Sequence, residues 1–185
     1  MHGARHPRTS EPLQAIHRDV SPANVMLGKD AHACLIDLGL GNSALKEWHT
    51  RTGTLMGTPG YMSPEAVRAG NVDHRSDLYG AAVVCYELIT VERYIRSTKL
   101  ADVLQECARP VFRTPSKSVP GIPSALDDVL RQALSVNRED RFNNALELGK
   151  ALLASVNKKP NQERMEQFLL RLLPEANDVS LDVTI

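Results

Sequence analysis

The chain has 185 residues, of which 42% are hydrophobic and 4% aromatic, and this suits a single globular domain. Its 22 Lys and Arg residues balance its 22 Asp and Glu residues, so the formal charge is zero with His neutral. A protein that binds nucleic acid through phosphates is normally basic, and a disordered chain has fewer apolar residues, so both classes are disfavoured.

The sequence contains no segment that predicts secretion or membrane insertion. Residues 1–5 lack the apolar core of a secretory signal, and the longest apolar run, Gly80–Tyr86, stops at Glu87. Three widely spaced cysteines predict buried thiols in a reducing compartment: Cys34, Cys85 and Cys107. We therefore expect a cytoplasmic protein that binds neither membrane nor nucleic acid through this chain.

Two short apolar runs early in the chain predict a β-hairpin. They cover Val25–Leu27 and Ala33–Ile36, and Gly28–Asp30 between them has the composition of a turn. Residues 1–15, before the hairpin, are polar and interrupted by two prolines. Residues 38–60, after it, are rich in Gly, Ser and Thr, and so long a loop inside a compact domain is usually functional.

Helical patterns dominate the rest of the chain. Asp77–Thr90 is apolar nearly all round, which is typical of a helix in the centre of a core. Further helices are predicted at Leu100–Cys107, Ser124–Leu134 and Asn144–Ala154. After a linker at 158–161, an apolar stripe at helical spacing predicts one more helix, which ends before Pro174 and an acidic tail. The stripe consists of Met165, Phe168, Leu169, Leu172 and Leu173.

Four short motifs follow one another along the chain. They are His17-Arg-Asp with Asn24, which fits H-R-D-x-x-x-x-N, then DLG at 37–39, GTPGYMSPE at 57–65 and DLYG at 77–80. In this order and spacing they resemble the C-terminal lobe of the protein kinase family, in its Ser/Thr branch and particularly in bacteria such as the myxobacteria. The resemblance runs over about residues 17–154.

The resemblance implies a mainly α fold, a helical bundle with a small β-hairpin that carries the catalytic loop and the Asp-Leu-Gly motif. We expect the kinase-like lobe to cover residues 1–155, and residues 156–185 to hold the linker, the amphipathic helix and the tail. The implied reaction is transfer of the ATP γ-phosphoryl group to Ser or Thr hydroxyls of a protein substrate, with Mg²⁺ bound to the phosphates.

The resemblance also assigns roles to the residues of the first motifs. Asp19 would orient the attacking hydroxyl, and Asn24 and Asp37, one before and one after the hairpin, would hold Mg²⁺. Met26 would form the apolar floor below the adenine ring. Taken alone, Asp19 and Asn24 would be interpreted as turn caps and Met26 as ordinary core packing, and it is the whole series of motifs that disfavours these interpretations.

Regulation would act through Arg18, which in related kinases pairs with a phosphate on the activation loop. Thr54 is the best-placed acceptor, with Thr52 and Thr50 as alternatives, although threonines are also common in ordinary polar loops. Thr58 would instead hydrogen-bond Asp19.

Four further positions have expected structural roles. Glu65 and Arg141 would form a buried ion pair, and Asp77 would cap the central helix and hold the catalytic loop. His17 would pack beneath Leu38.

Two departures from the family pattern affect the expected activity. Ser21 stands at the phosphate-contacting position where the Ser/Thr branch usually has lysine, and a serine offers one hydrogen bond but no charge. Only 16 residues precede His17, too few for the glycine-rich loop and strand lysine, so we expect an absent N-terminal β lobe and little phosphotransfer by these 185 residues alone.

Two alternatives to a kinase remain open from the sequence. The first is a non-catalytic module that docks partners through its substrate groove or through the 165–173 helix, although packing of that helix on its own lobe is the favoured interpretation. The second is a binding protein unrelated to kinases, which requires the motif series to be coincidence.

Overall fold

The computed structural model describes residues 16–37, 58–156 and 161–172. Within these ranges the chain forms two strands and seven α-helices, with short 3₁₀ turns at Pro22–Asn24, Pro59–Tyr61 and Arg138–Asp140. The strands are β1 (Val25–Leu27) and β2 (Ala33–Leu35). The helices are α1 (Pro64–Val67), α2 (His74–Thr90), α3 (Leu100–Ala108), α4 (Pro115–Ser118), α5 (Ser124–Ala133), α6 (Ala145–Ser155) and α7 (Gln162–Leu172). The predicted mainly α class with a small hairpin is confirmed.

The hairpin forms where the two apolar runs predict it. Strands β1 and β2 are antiparallel, with Val25 opposite Leu35 and Leu27 opposite Ala33. The turn is closed by the Gly28 N–H, which donates to the His32 carbonyl at 2.8 Å. Because the strands are antiparallel, the residues before β1 and after β2 meet at the open end of the hairpin.

Helix α2 is the centre of the core, as its all-round apolar composition predicts. Leu78, Tyr79 and Val83 on this helix are buried, and they pack with Leu126 and Leu130 of α5. The helix begins at His74, three residues earlier than predicted, because the Asp73 carboxylate accepts a hydrogen bond from the Arg75 N–H at 2.8 Å. Asp73 is therefore the N-cap, and the expectation that Asp77 caps this helix was wrong.

Helices α3, α5 and α6 agree with the predicted ranges to within one residue at each end, whereas α7 begins three residues before the predicted apolar stripe. Helix α6 begins at Ala145 because Asn144 caps it, with Oδ1 accepting from the Glu147 N–H at 2.9 Å and Nδ2 donating to the Glu147 carboxylate at 2.8 Å. Sequence periodicity missed α1 and α4, since each is a single turn of four residues that begins with proline.

The three cysteines lie in different environments, and one prediction for them was wrong. Cys107 is fully buried, and burial raises the pKa of its thiol to about 12. Cys85 is partly buried, but Cys34 is exposed on β2. It stands opposite Met26, which is also exposed, so this face of the hairpin is uncovered within the described ranges.

Helix α7 lies beside the turn of the hairpin. The Gln162 amide donates to the Asp30 carbonyl at 2.8 Å, and Leu169 is buried, whereas Met165 and Phe168 are exposed. Residues 157–160, which include most of the predicted linker, and the residues from 173 onward lie outside the described ranges. Among the described helices, none combines the length and the apolar character needed to cross a membrane.

Val91, the C-cap of α2, offers a test of backbone strain. Its φ is 56° and its side chain is almost fully exposed, so a β-branched residue adopts the left-handed conformation without gaining any packing. Val91→Gly is expected to raise the free energy of unfolding in urea by about 1 kcal/mol, because glycine adopts this conformation without a steric penalty. Val111→Gly, at another exposed valine with an ordinary φ, should instead lower it; equal effects at the two positions would contradict the assignment.

Candidate active site

The candidate catalytic loop, residues 16–24, is fixed to helix α2 through its backbone. The His17 and Arg18 N–H groups donate to the two carboxylate oxygens of Asp77, each at 2.8 Å. Asp77 is buried in the first turn of α2, so the helix holds the loop although Asp77 does not cap it. His17 is fully buried, and its Nε2 lies 2.9 Å from the Ile36 carbonyl at the end of β2. Leu38, its expected neighbour, lies outside the described residues.

A glycine in α2 permits the close approach of the loop. A Cβ atom added to Gly80 would lie 2.8 Å from the Val20 carbonyl oxygen and 3.5 Å from that of Tyr61. Since real Cβ atoms do not approach backbone oxygen this closely, any larger residue at 80 would displace the loop beside Asp19.

Both oxygens of the Asp19 carboxylate are held by neighbours. The Asn24 amide donates to Oδ2 at 2.9 Å and to the Asp19 carbonyl at 2.8 Å, while the Thr58 backbone N–H donates to Oδ1 at 3.3 Å. Thr58 thus lies beside Asp19, as the sequence predicts, but its peptide group and not its hydroxyl makes the contact. Held in this way, the carboxylate can accept a further hydrogen bond from a hydroxyl.

The Thr58 hydroxyl donates instead to Ser21 Oγ at 3.2 Å. Ser21 was expected to contact phosphate, yet it is fully buried beneath the loop. In this arrangement its hydroxyl supports Thr58 and presents no surface to a ligand.

Asn24 and Asp37 come together at the open end of the hairpin. The Ile36 N–H donates to the Asn24 carbonyl at 2.9 Å, which places Asp37, the next residue, beside Asn24. The Asn24 amide nitrogen faces Asp19, and no described residue donates to its amide oxygen. Asp37 is exposed and has a φ of 57°, a costly conformation for a non-glycine residue that recurs at functional sites.

These two side chains fit a magnesium site that is completed by phosphate. Mg²⁺ is usually bound through one or two protein oxygens together with substrate phosphates, and an amide oxygen and a carboxylate are such ligands. No cluster of three or more His, Cys, Asp or Glu residues able to hold a metal occurs in the described ranges. As far as the described residues go, a metal held by Asn24 and Asp37 would be completed by oxygens from its ligand or from water.

Met26 lies on β1 with 55% of its surface exposed, and Leu27 and Ile36 are exposed beside it. The described ranges therefore present an apolar surface next to Asn24, where an apolar ring could rest. Arg18 is exposed with a φ of 68°, and no described residue pairs with its guanidinium group. Thr50, Thr52 and Thr54 lie outside the described residues.

Glu65 and Arg141 form a bidentate ion pair behind the site. Arg141 donates to the two Glu65 oxygens at 2.8 and 2.7 Å, and the Ser76 hydroxyl donates to Glu65 at 2.6 Å. Burial alone would raise the pKa of Glu65, but these hydrogen bonds outweigh it and lower the pKa to about 2. The pair joins α1 to the segment after α5, since Arg141 also donates to the Ser135 carbonyl at 2.8 Å.

A cavity of about 440 Å³ is lined in part by Thr58, whose N–H contacts Asp19, and sequence reasoning missed the residues on its far wall. Tyr61, Glu87 and Arg93 contribute to this wall, and their side chains contact one another. Glu87 is the one residue of this wall that the sequence could have indicated. It is a carboxylate in an otherwise apolar helix, and such a group must have hydrogen-bond or ion-pair partners if it is buried.

The site can be compared with known proteins. The protein kinase domain family matches residues 12–153. Serine/threonine-protein kinase PknL of Mycobacterium tuberculosis is 36% identical over 140 residues, which cover 75% of this chain and 35% of the relative. Serine/threonine-protein kinase PknH of Mycobacterium bovis is 31% identical over 156 residues, which cover 84% of this chain and 26% of the relative.

A third relative carries a different name. Tyrosine-protein kinase MasK of Myxococcus xanthus is 33% identical over 143 residues, which cover 77% of this chain and 22% of the relative. The chain spans about a third or less of the length of these curated relatives. The family match nevertheless covers most of the chain and extends from before the candidate catalytic loop into α6, and the chain therefore belongs to the protein kinase domain family.

Proposed function

We propose that this chain provides the larger, C-terminal lobe of a protein serine/threonine kinase that transfers the γ-phosphoryl group of ATP to a protein hydroxyl. The observation that carries the proposal is the Asp19 carboxylate, which is held in one orientation by Asn24 and by Thr58, a residue that also lines an open cavity. The GTPGYMSPE motif and the relatives named serine/threonine kinases support a Ser or Thr acceptor, although MasK is named for tyrosine.

Each residue has a role in this proposal. Asp19 accepts the hydrogen bond of the attacking hydroxyl and orients its oxygen towards the phosphoryl group. Asn24 and Asp37 supply the oxygens that hold Mg²⁺, which when bound neutralises charge on the phosphates. Met26 contributes apolar surface for the adenine ring. Ser21 acts through Thr58. Its hydroxyl oxygen accepts a hydrogen bond from the Thr58 hydroxyl, and it thus positions the Thr58 N–H that contacts Asp19.

Regulation and domain limits follow the same proposal. Arg18 would receive a phosphate carried by Thr54 or Thr52, because a guanidinium group binds a phosphate dianion through paired charge-assisted hydrogen bonds.

Residues 1–155 would form the lobe, and α7 would belong to a separate segment, 156–185.

Binding of Mg·ATP to the chain tests the proposal directly. In about 10 mM Mg·ATP, tenfold above the upper end of common KM values, the Tm is expected to rise by about 3 to 6 °C. Asp37→Asn should abolish most of this rise, because it removes a charged oxygen from the metal site. Asp128→Asn, at an exposed aspartate on α5, is the matched control and should keep it.

The same measurement separates a kinase from a non-catalytic docking module. A module that binds only partner proteins would show no Tm shift with Mg·ATP, and this result would contradict the proposal. A shift that Asp37→Asn leaves unchanged would place the nucleotide elsewhere on the molecule.

A further inference from the structure

The cavity that Thr58 lines is built from two parts of the site and from the end of the core helix. Pro22 and Ala23 come from the candidate catalytic loop, and Thr58 is the residue whose N–H contacts Asp19. The opposite wall consists of Tyr61 and of residues at and after the end of α2: Glu87, Val91, Glu92 and Arg93. A group bound in this cavity therefore lies close to the acceptor hydroxyl that Asp19 would orient.

Glu87 provides a fixed negative charge on the wall of the cavity. Its side chain is only 15% exposed, and both oxygens are held: Oε2 accepts from the Tyr61 hydroxyl at 2.5 Å, and Oε1 from the Tyr94 N–H at 3.0 Å. Burial and the neighbouring Glu87 raise the pKa of Tyr61 to about 12, so the phenol stays protonated and continues to donate. The carboxylate thus has a defined position.

Arg93 supplies the counter-ion from the solvent side. Its Nη1 donates to the Tyr61 hydroxyl at 2.8 Å and lies 3.8 Å from Glu87 Oε2, while 69% of its side chain is exposed. The neighbouring Glu92 is neutralised by a separate ion pair with Arg96, which does not line the cavity. The charge that a ligand meets in the cavity is therefore decided by Glu87 and Arg93 together.

We propose, on the basis of the kinase function above, that this cavity receives a side chain of the protein substrate and that Arg93 determines its charge preference. With Arg93 in place the cation position beside Glu87 is filled, so the cavity takes a neutral side chain and rejects Lys or Arg. Because residues of an extended peptide are about 3.3 Å apart, the side chain belongs to a position within about three residues of the acceptor.

Removing Arg93 should reverse this preference. In Arg93→Met the aliphatic part of the side chain remains, but the Glu87 charge is left without its counter-ion. An arginine side chain of the substrate then takes the vacated place, and opposite charges a few ångströms apart in a partly buried site attract strongly. We expect the variant to gain affinity for peptides that carry an arginine at one particular position. Loss of surface charge alone would instead raise the affinity for arginine at every peptide position by a similar factor.

The experiment measures peptide binding and not catalysis, so it stands even if phosphotransfer fails. Fluorescein-labelled peptides with one central serine in a neutral background carry a single Arg, Glu or Ala at each nearby position, and anisotropy gives their Kd for the whole chain. For the wild type, no Arg peptide should bind more than about twofold tighter than its Ala counterpart. For Arg93→Met, Arg at one or two adjacent positions should bind at least about fivefold tighter.

Two control variants make the result specific. Arg109→Met removes an exposed arginine that neither lines the cavity nor pairs with a carboxylate of its wall, and it should leave the wild-type profile unchanged. Adding Glu87→Gln to Arg93→Met should remove the gained preference, because the amide has no charge. Arg93→Ala also removes the guanidinium group and should show the same change of preference as Arg93→Met. Melting curves verify that every variant is folded.

Three results would overturn the proposal. The first is a strong Arg preference already present in the wild type, which would mean that Arg93 does not occupy the cation position. The second is an identical profile in the wild type and both Arg93 variants. The third is the absence of binding by any peptide to any folded variant, which would mean that the cavity is not a substrate site.

Discussion

Asp19→Asn is expected to lower the rate of phosphotransfer by about 10²- to 10⁴-fold, the usual contribution of a residue that handles the proton of a reacting group. The Asn24 and Thr58 hydrogen bonds that hold Asp19 leave its carboxylate able to accept one more from the acceptor hydroxyl. An amide is a weaker acceptor and carries no charge, so the hydroxyl is neither oriented nor deprotonated as readily.

The measurement is incorporation of phosphate from Mg·ATP into a Ser/Thr peptide library by the product of the complete reading frame that contains these 185 residues. KM for ATP should change little, because Asp19 is not a proposed ligand of the nucleotide. Asp128→Asn serves as the control for a change of charge alone. Equal rates for Asp19→Asn and the wild type would remove Asp19 from the mechanism.

Arg141→Met is expected to lower the free energy of unfolding by about 3 to 5 kcal/mol, a large part of the 5 to 15 kcal/mol typical of a domain. The Arg141 side chain is fully buried, and it satisfies Glu65 together with the Ser135 carbonyl. Methionine fills much of the volume but leaves the Glu65 carboxylate charged and largely buried, with the Ser76 hydroxyl as a remaining donor.

Urea denaturation measures the loss, with Arg109→Met as the control at an exposed arginine that should change stability by less than about 0.5 kcal/mol. Adding Glu65→Gln to Arg141→Met should recover part of the stability, because the stranded charge is then removed. If the single and double variants are equally unstable, the cost comes from lost packing and not from the stranded carboxylate.

The pH dependence of stability gives the same pair a second signature. The pKa of Glu65 is about 2 in the folded chain and lies near its usual value of 4.5 when unfolded. The contribution of Glu65 is therefore complete above about pH 4.5 and is lost as the pH falls towards 2. The acid limb of the stability curve should be shallower in Arg141→Met than in the wild type.

Sequence patterns predicted the parts of the fold that repeat or that carry a motif. The hairpin and the long helices were predicted because their apolar residues recur at a fixed period, and Glu65 and Arg141 because they follow a family pattern. The start of α2 was misplaced because Asp73 and Asp77 are both plausible caps in the sequence, and only backbone geometry distinguishes them. The exposure of Cys34 depends on which face of the hairpin is covered, and alternation within a strand does not reveal this.

The far wall of the cavity was beyond sequence reasoning for a different reason. Arg93 meets Tyr61 across 32 positions of the chain, and this contact depends on how the backbone turns after α2 at Val91, where φ is positive. The path of the backbone after α2 depends on the positive φ of this one residue, and no local sequence pattern predicts that φ. Likewise, the burial of Ser21 follows from the approach of Gly80 to Val20, which is a property of two segments and not of either alone.

The attachment of His17 and Arg18 to Asp77 has a consequence for hydrogen exchange. The amide protons of these two residues lie in irregular backbone, where exchange with solvent is normally fast. Here both are bonded to a buried carboxylate on the core helix, so they can exchange only when that helix separates from the loop. The candidate catalytic loop therefore opens and closes with the same cooperative unit as the core, and local fraying does not reach it.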